Sequence, residues 1–316
     1  MYYIAHRLFA AHDRALAAQL AQRLAATTGP DTVFLPFCDT DEEDLVADVK
    51  GHRLFQLDRD RLHTLHAMIA ILHGPSLDDG VCMEIGYAHT LGVPVTVLST
   101  DFQTYSLTDD GPRLEFPDPL VQTMARHTVR TPHLVPAHES YGAPPAGRFA
   151  VFHERNRLQT HAALDAVLKA LHDAPAPETG RKAHRPPGNR TLFLEPSPYH
   201  PFPHTLAEAA QACGYQVHAA ERFTATNPSA AAQRDLDNAS RASVLLADVS
   251  GPETPPGAAL LIGAAAARGA RVGAYQTHTV FTHADGREPN WRNLMIQYAS
   301  DARLDSPQTL VSWLRP

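Results

Sequence analysis

The chain has 316 residues, about twice the ~150 of an average domain, so two domains are expected. At 44% hydrophobic and 19% charged it is no disordered chain, and a formal charge of −7 excludes a generally basic surface for a nucleic-acid polymer. Three cysteines (Cys38, Cys82, Cys213) cannot build a disulfide framework, no apolar run reaches ~18 residues, and MYYIAHRLFAAHDR turns polar too early for a signal peptide. A cytoplasmic protein with no membrane partner is the expectation.

In chain order, Tyr2–Ala5 reads as a short buried strand and Arg14–Leu24 as an amphipathic helix, with Leu16, Leu20 and Leu24 on one face. TVFLPF (32–37) reads as a strand, 58–66 as helix, and AMIAIL (67–72) as a parallel strand covered on both faces. LDDG leads into a helix over VCMEIGYAHTL, closed by Gly92, and VPVTVLS (93–99) is a strand. A helix is expected over 155–172, then a linker, DAPAPETGRKAHRPPGNR (173–190). The pattern then restarts: strand RTLFLEP, helix TLAEAAQACG, strands YQVHAA and SVLLADV, helix PGAALLIGAAAARG and strand ARVGAYQ. Strand–helix–strand alternation predicts parallel sheets with right-handed crossovers.

The restart is a repeat. Residues 70–100 lie on 247–277 without a gap, so that Gly74-Pro75 meets Gly251-Pro252, Gly80 meets Gly257, Gly86 meets Gly263 and Gly92 meets Gly269. A tandem duplication is expected, with domains at 1–175 and 190–316 joined by 176–189.

Asp78, Asp79 and Gly80 fall in the loop leaving strand 67–72, with Glu84 expected in the first turn of the next helix, at the strand-end crevice where open α/β sheets bind ligands. An ionised carboxylate there can act as a nucleophile. An N-cap role explains Asp78 or Asp79 equally well, and a solvated first-turn position explains Glu84. The second copy carries Pro255 and Leu261 at the positions of Asp78 and Glu84, so the acids vanish while the glycines stay. His63 and His66 lie a turn apart with no third ligand to complete a zinc set, and Cys82 reads as a small buried hydrophobe.

YYIAHRLF, DDGVCMEIGYAHTLGVPV and NLMI together resemble nucleoside 2-deoxyribosyltransferases, whose middle motif is D-x-G-x-x-x-E-x-G-Y-A. The resemblance implies that Glu84 is the nucleophile on C1′, that Tyr3 orients it, and that Asp78 and Asp58 hold and help protonate the leaving base. It places Gly80 of the motif in the substrate-binding loop, and Asn293 and Met295 at the 5′ end of the sugar. It implies a retaining double displacement, small-molecule nucleosides and nucleobases as partners, and no metal or organic cofactor. The sequence departs from the family at His6-Arg7 (a Gly-Pro pair), His73 (an Asp) and Phe37 (a Gln). Arg7 is either an exposed or salt-bridged arginine, the reading favoured, or a contact to the phosphate of a nucleotide substrate.

The family borrows its Asn and Met from a neighbouring subunit. Here the first copy has DPLVQTMARH (118–127) in that place, whereas the second keeps Asn293-Leu294-Met295 and lacks the acids. The expected architecture is therefore α/β, two flavodoxin- or Rossmann-like parallel-sheet lobes forming an intramolecular pseudo-dimer with one complete site. Transfer of 2-deoxyribose between bases, in nucleotide salvage, is the leading function. The alternatives are a nucleoside or 5′-monophosphate N-glycosidase and a nucleoside-sensing module. Association of pseudo-dimers with one another is left open.

Overall fold

The computed structural model describes residues 1–39, 50–74, 76–101, 103, 105, 113–132, 147–172, 188–199, 201–277 and 291–315. The first lobe runs β1 (Tyr2–Ala5), α1 (Ala11–Thr28), β2 (Val33–Phe34), α2 (Lys50–Leu62), β3 (Ala67–Ile71), α3 (Asp79–Thr90), β4 (Val95–Ser99), α4 (Pro119–Met124), β5 (His127–Arg130) and α5 (Arg148–His172). The second runs β6 (Thr191–Glu195), α6 (His204–Ala212), β7 (Gln216–Ala219), α7 (Pro228–Arg241), β8 (Val244–Asp248), α8 (Pro256–Arg268), β9 (Arg271–Tyr275), α9 (Leu294–Ala299), β10 (Ala302–Leu304) and α10 (Pro307–Leu314). Most of the expected linker lies outside the described residues.

Each lobe holds a five-stranded, wholly parallel sheet, ordered β2-β1-β3-β4-β5 in one and β7-β6-β8-β9-β10 in the other. This 2-1-3-4-5 order is the flavodoxin-like one, with its switch point between the first and third strands. The fold class expected from the sequence, two parallel α/β lobes, is what is found. Local expectations differ in places: α1 and α5 begin earlier than expected, at Ala11 and Arg148. β2 is only Val33–Phe34, because Pro30–Thr32 forms a 3-10 turn before it and Pro36 takes the chain out of the ladder into a turn after it. The helix expected at 58–66 ends at Leu62 and begins by Lys50.

Alternation along the strands assigns the two faces. Ile4, Ile69, Ile71 and Leu98 pack with Leu20 and Leu24 of α1 and Leu164 and Val167 of α5 in one core. Tyr3, Ala5, Met68, Ala70, Val95 and Val97 face the other way, into a core shared by both lobes. In the second lobe Leu192, Leu194 and Leu246 pack outward on α6 and α10, whereas Phe193, Leu245 and Ala247 join the shared core. The helices α3 and α8 meet at its centre, with backbones so close that a Cβ on Gly86 would lie 1.8 Å from the Leu260 carbonyl oxygen and one on Gly263 2.0 Å from that of Met83. Two of the in-register glycines are thus a reciprocal helix crossing, which only the absence of a side chain permits.

Candidate active site

α3 starts where the D-x-G motif places it. Asp78 is its N-cap and accepts from the Val81 N–H at 2.9 Å. The same carboxylate faces Arg7 Nε at 3.5 Å, and Arg7 also reaches the Ser76 carbonyl oxygen at 3.1 Å and Glu253 of the second lobe at 3.4 Å. Arg7 is therefore an ion-paired residue at the mouth of the site, between two acids. Burial pushes the Glu253 carboxyl up from its ordinary value, with Arg7 pulling the other way.

Glu84 sits in the second turn of α3 and is 7% exposed, deeper than the solvated first-turn position expected. Its partner is Tyr3, whose phenol donates to Oε1 at 2.5 Å. Tyr3 reaches it because alternation on β1 turns the ring toward α3, and Phe34 of β2 stacks on that ring at 5.6 Å. Arg61 lies 4.0 Å over Phe34 and pairs with Asp58 at 3.3 Å. Asp58 is thus connected to Glu84 through a layered stack, Arg61 on Phe34 on Tyr3. Cys82 is fully buried and burial pushes its thiol well up, so it is a core residue.

The second lobe enters the site at two points. Asn293 caps α9, its Oδ1 accepting from the Met295 N–H at 3.0 Å, and its Nδ2 lies against Gly80, where a Cβ would stand 2.8 Å away. Both readings of Asn293, helix cap and inter-lobe residue, are therefore met by one side chain. Met295 is buried in the shared core. Beside it, the Asp79 carboxylate accepts from the Thr254 N–H across the interface at 3.0 Å, and burial raises its pKa.

The corresponding place in the second lobe is built differently. Tyr3 pairs with Met68 on β3 and Phe193 with Leu245 on β8, so Phe193 stands where the first lobe has Tyr3, and Leu261 where it has Glu84. Asp118 caps α4 as Asn293 caps α9, accepting from the Leu120 N–H at 2.9 Å. It makes a two-pronged pair with the fully buried Arg222, at 2.8 Å to each oxygen, and Arg222 also binds Glu195 and, at 3.2 Å, Asp235. A Cβ on Gly257 would stand 2.1 Å from the Arg222 guanidinium, so this space is filled by a side chain. Burial, against the pull of Arg222, raises Glu195 to about 7. The sequence reading missed Arg222. Its signal was slight: an arginine in the loop after a strand, with Asp235 in the register position of Asp58.

Residues 2–139 match the family model of nucleoside 2-deoxyribosyltransferases. The match lies within the first lobe. The matched segment ends before α5, and it contains Tyr3, Asp58, Asp78, Gly80 and Glu84 but not Asn293. Among solved structures, a conserved protein from Enterococcus faecalis is similar at 22% identity over 41% of this chain and 89% of its own, with a TM-score of 0.34. No curated protein matches the chain. No helix among the described residues is long and apolar enough to cross a membrane.

Proposed function

We propose that the protein is a nucleoside 2-deoxyribosyltransferase acting on small nucleosides and nucleobases, with one site, in the first lobe, completed by the second. The observation that carries this reading is the buried Tyr3–Glu84 contact at 2.5 Å, together with Asn293 brought against Gly80 from more than 200 residues away. The Glu84 carboxylate attacks C1′ of the 2-deoxyribosyl group as the C1′–N bond breaks, and the bond's electron pair leaves with the base. The Tyr3 hydroxyl fixes the carboxylate for attack and stabilises it again when it is released. Asp78, held as a carboxylate by the Val81 N–H and by Arg7, positions the base; the departing base takes up a proton as it leaves and the incoming base gives up its own in the second step, with Asp78 as the carboxylate that relays it. A second base then attacks C1′ from the opposite face, breaking the ester to Glu84 and restoring the carboxylate. Asp58 supports the leaving base through its place on α2, and Asn293 and Met295 meet the 5′ end of the sugar.

The second lobe, residues 190–316, is a diverged copy of the first, residues 1–175, joined by 176–189. It has exchanged its own chemistry for an Arg222 plug and keeps the borrowed asparagine. The test is to incubate the protein with deoxyinosine or thymidine, with and without adenine, and follow the bases chromatographically. Transfer requires that adenine diverts product into a new nucleoside and suppresses free sugar. Free sugar unaffected by added base establishes the hydrolase instead, and no turnover of either substrate refutes the catalytic reading.

A further inference from the structure

On the strand-end edge of the first lobe, three side chains outside the chemistry above converge. Asp13, in the first turn of α1, is 2% exposed, yet it does not cap its helix, whose N-cap is Ala10 with no side-chain bond. A carboxylate buried this far is costly unless partnered. Its partners among the described residues are two imidazoles: His73 Nε2 at 2.7 Å and His12 Nε2 at 3.5 Å. All three donor atoms lie within 4.8 Å of one another. His73 follows β3 and opens the loop that leads to Asp78.

We propose that His12, Asp13 and His73 bind a divalent transition-metal ion, with zinc the best match. Two imidazoles and one carboxylate are a donor set for zinc, whereas magnesium and calcium call for oxygen donors alone. Bonds of about 2.0–2.2 Å in a tetrahedral site hold ligand atoms roughly 3.4 Å apart. The His12–Asp13 separation already fits, and the His73–Asp13 contact needs to open by less than one ångström. The outer partner is present too. His73 Nδ1 lies 3.4 Å from Thr100 Oγ1, at the end of β4. With its N–H directed there, the ring turns the Nε2 lone pair toward the carboxylate, where two acceptors abut unless a proton or a cation lies between them. His12, whose side chain is 80% exposed, leaves an entry path and room for a water at the fourth position. The neighbouring His6 brings no competing charge, because burial holds its imidazole below its ordinary pKa. Bound metal would tie α1 to His73, just beyond the end of β3.

The test uses the full chain stripped with a chelator, then titrated with zinc by calorimetry and with cobalt(II) by visible absorption. One tightly held ion per chain is expected, with cobalt giving the strong d–d bands of a four-coordinate site. Nineteen histidines make stoichiometry alone insufficient. His73→Ala and His12→Ala must each remove this ion, and Thr100→Val must weaken it roughly 10- to 100-fold. His12→Ala keeps the test decisive if His73→Ala fails to fold, because His12 projects into solvent. Binding of no metal, or equal binding by parent and His12→Ala, overturns the site and leaves the His73–Asp13 contact as a hydrogen bond only. Neither outcome bears on base exchange, which is assayed separately without added metal.

Discussion

The reciprocal crossing of α3 and α8 gives the sharpest test of the idea that the two lobes make one site. Gly86→Ala places a Cβ 1.8 Å from the Leu260 carbonyl oxygen, 2.7 Å from its carbon and 3.0 Å from its Cα. All three atoms are backbone, so no rotamer change relieves the clash. Reaching even a tight 3.0 Å contact requires the helices to part by about 1.2 Å. Overpacking of this kind costs about 1–3 kcal/mol, and an immovable backbone partner puts it at or above the upper figure. A loss of about 3 kcal/mol lowers Tm by roughly 6–12 °C at this domain size.

The same displacement carries Asn293 away from Gly80, and about 1 Å of misplacement costs on the order of 10²-fold in rate. Gly269→Ala is the internal control. Its φ is 71°, which strains any other residue, but nothing lies within 4 Å of the new Cβ. It should cost about 1 kcal/mol and leave kcat/KM unchanged. Melting curves and base-exchange kinetics on both variants decide the matter. Gly86→Ala with unchanged Tm refutes the packing argument, and an unstable but fully active Gly86→Ala refutes the shared site. The double variant Gly86→Ala/Gly263→Ala should fall less than the sum of its parts, because one parting of the helices serves both methyl groups.

Glu84→Gln keeps an acceptor for the Tyr3 hydroxyl, so its melting temperature should hold while turnover drops by at least roughly 10³-fold; substantial activity sinks the nucleophile assignment. Asn293→Ala should lower kcat/KM by about 10- to 100-fold, the worth of one polar contact in a closed pocket, whereas Leu261→Ala should change stability alone. Phe37 stands with φ at 66°, a left-handed conformation rare for an aromatic residue. Phe37→Gly should therefore raise stability by up to about 1 kcal/mol, read by denaturant midpoint, and a loss of stability there argues against the strain. Glu195 has a folded pKa of about 7 against an ordinary 4.5, so its contribution is complete below pH 4.5 and is lost as pH rises through 7. Denaturant midpoints should fall between pH 5 and 8 by the equivalent of at most about 3 kcal/mol, and Glu195→Gln should flatten that slope; parallel slopes refute it.

What the sequence made legible followed its strongest physical signals. Continuous apolar runs such as AMIAI and the 2-1-3-4-5 rhythm of strands dictate two parallel sheets, and the glycines in register point to one geometry used twice. Glu84 was legible through its motif, but its depth was not. Burial of that carboxylate comes from Tyr3 and the shared core, both distant in sequence. The short α4 and α9 escaped a periodicity reading, since six residues hold too little of a 3.6-residue pattern, although their capping Asp118 and Asn293 both reach the opposite lobe. The imidazoles of His12 and His73 are 61 residues apart, so no spacing pattern joins them.

Arg222 was the least legible residue and explains most about the asymmetry of the lobes. A buried guanidinium persists only where carboxylates surround it, and these come from β6 (Glu195), α7 (Asp235) and the opposite lobe (Asp118). Removing one member of such a buried cluster costs about 3–5 kcal/mol, since the remaining charges stay uncompensated. Arg222→Met would leave Asp118, Glu195 and Asp235 facing one another, and Asp118 would lose its tie to the second lobe. The cluster therefore holds the interface on one side as firmly as the helix crossing does at the centre. Two lobes of one topology thus meet through like-placed capping residues with opposite results. Asn293 arrives against Gly80, in the first turn of the helix that carries Glu84, and Asp118 arrives at the buried Arg222 guanidinium beside Gly257. Where the first lobe has the phenol and the carboxylate the second has Phe193 and Leu261, two apolar side chains of the shared core, and Arg222 lies beside Gly257.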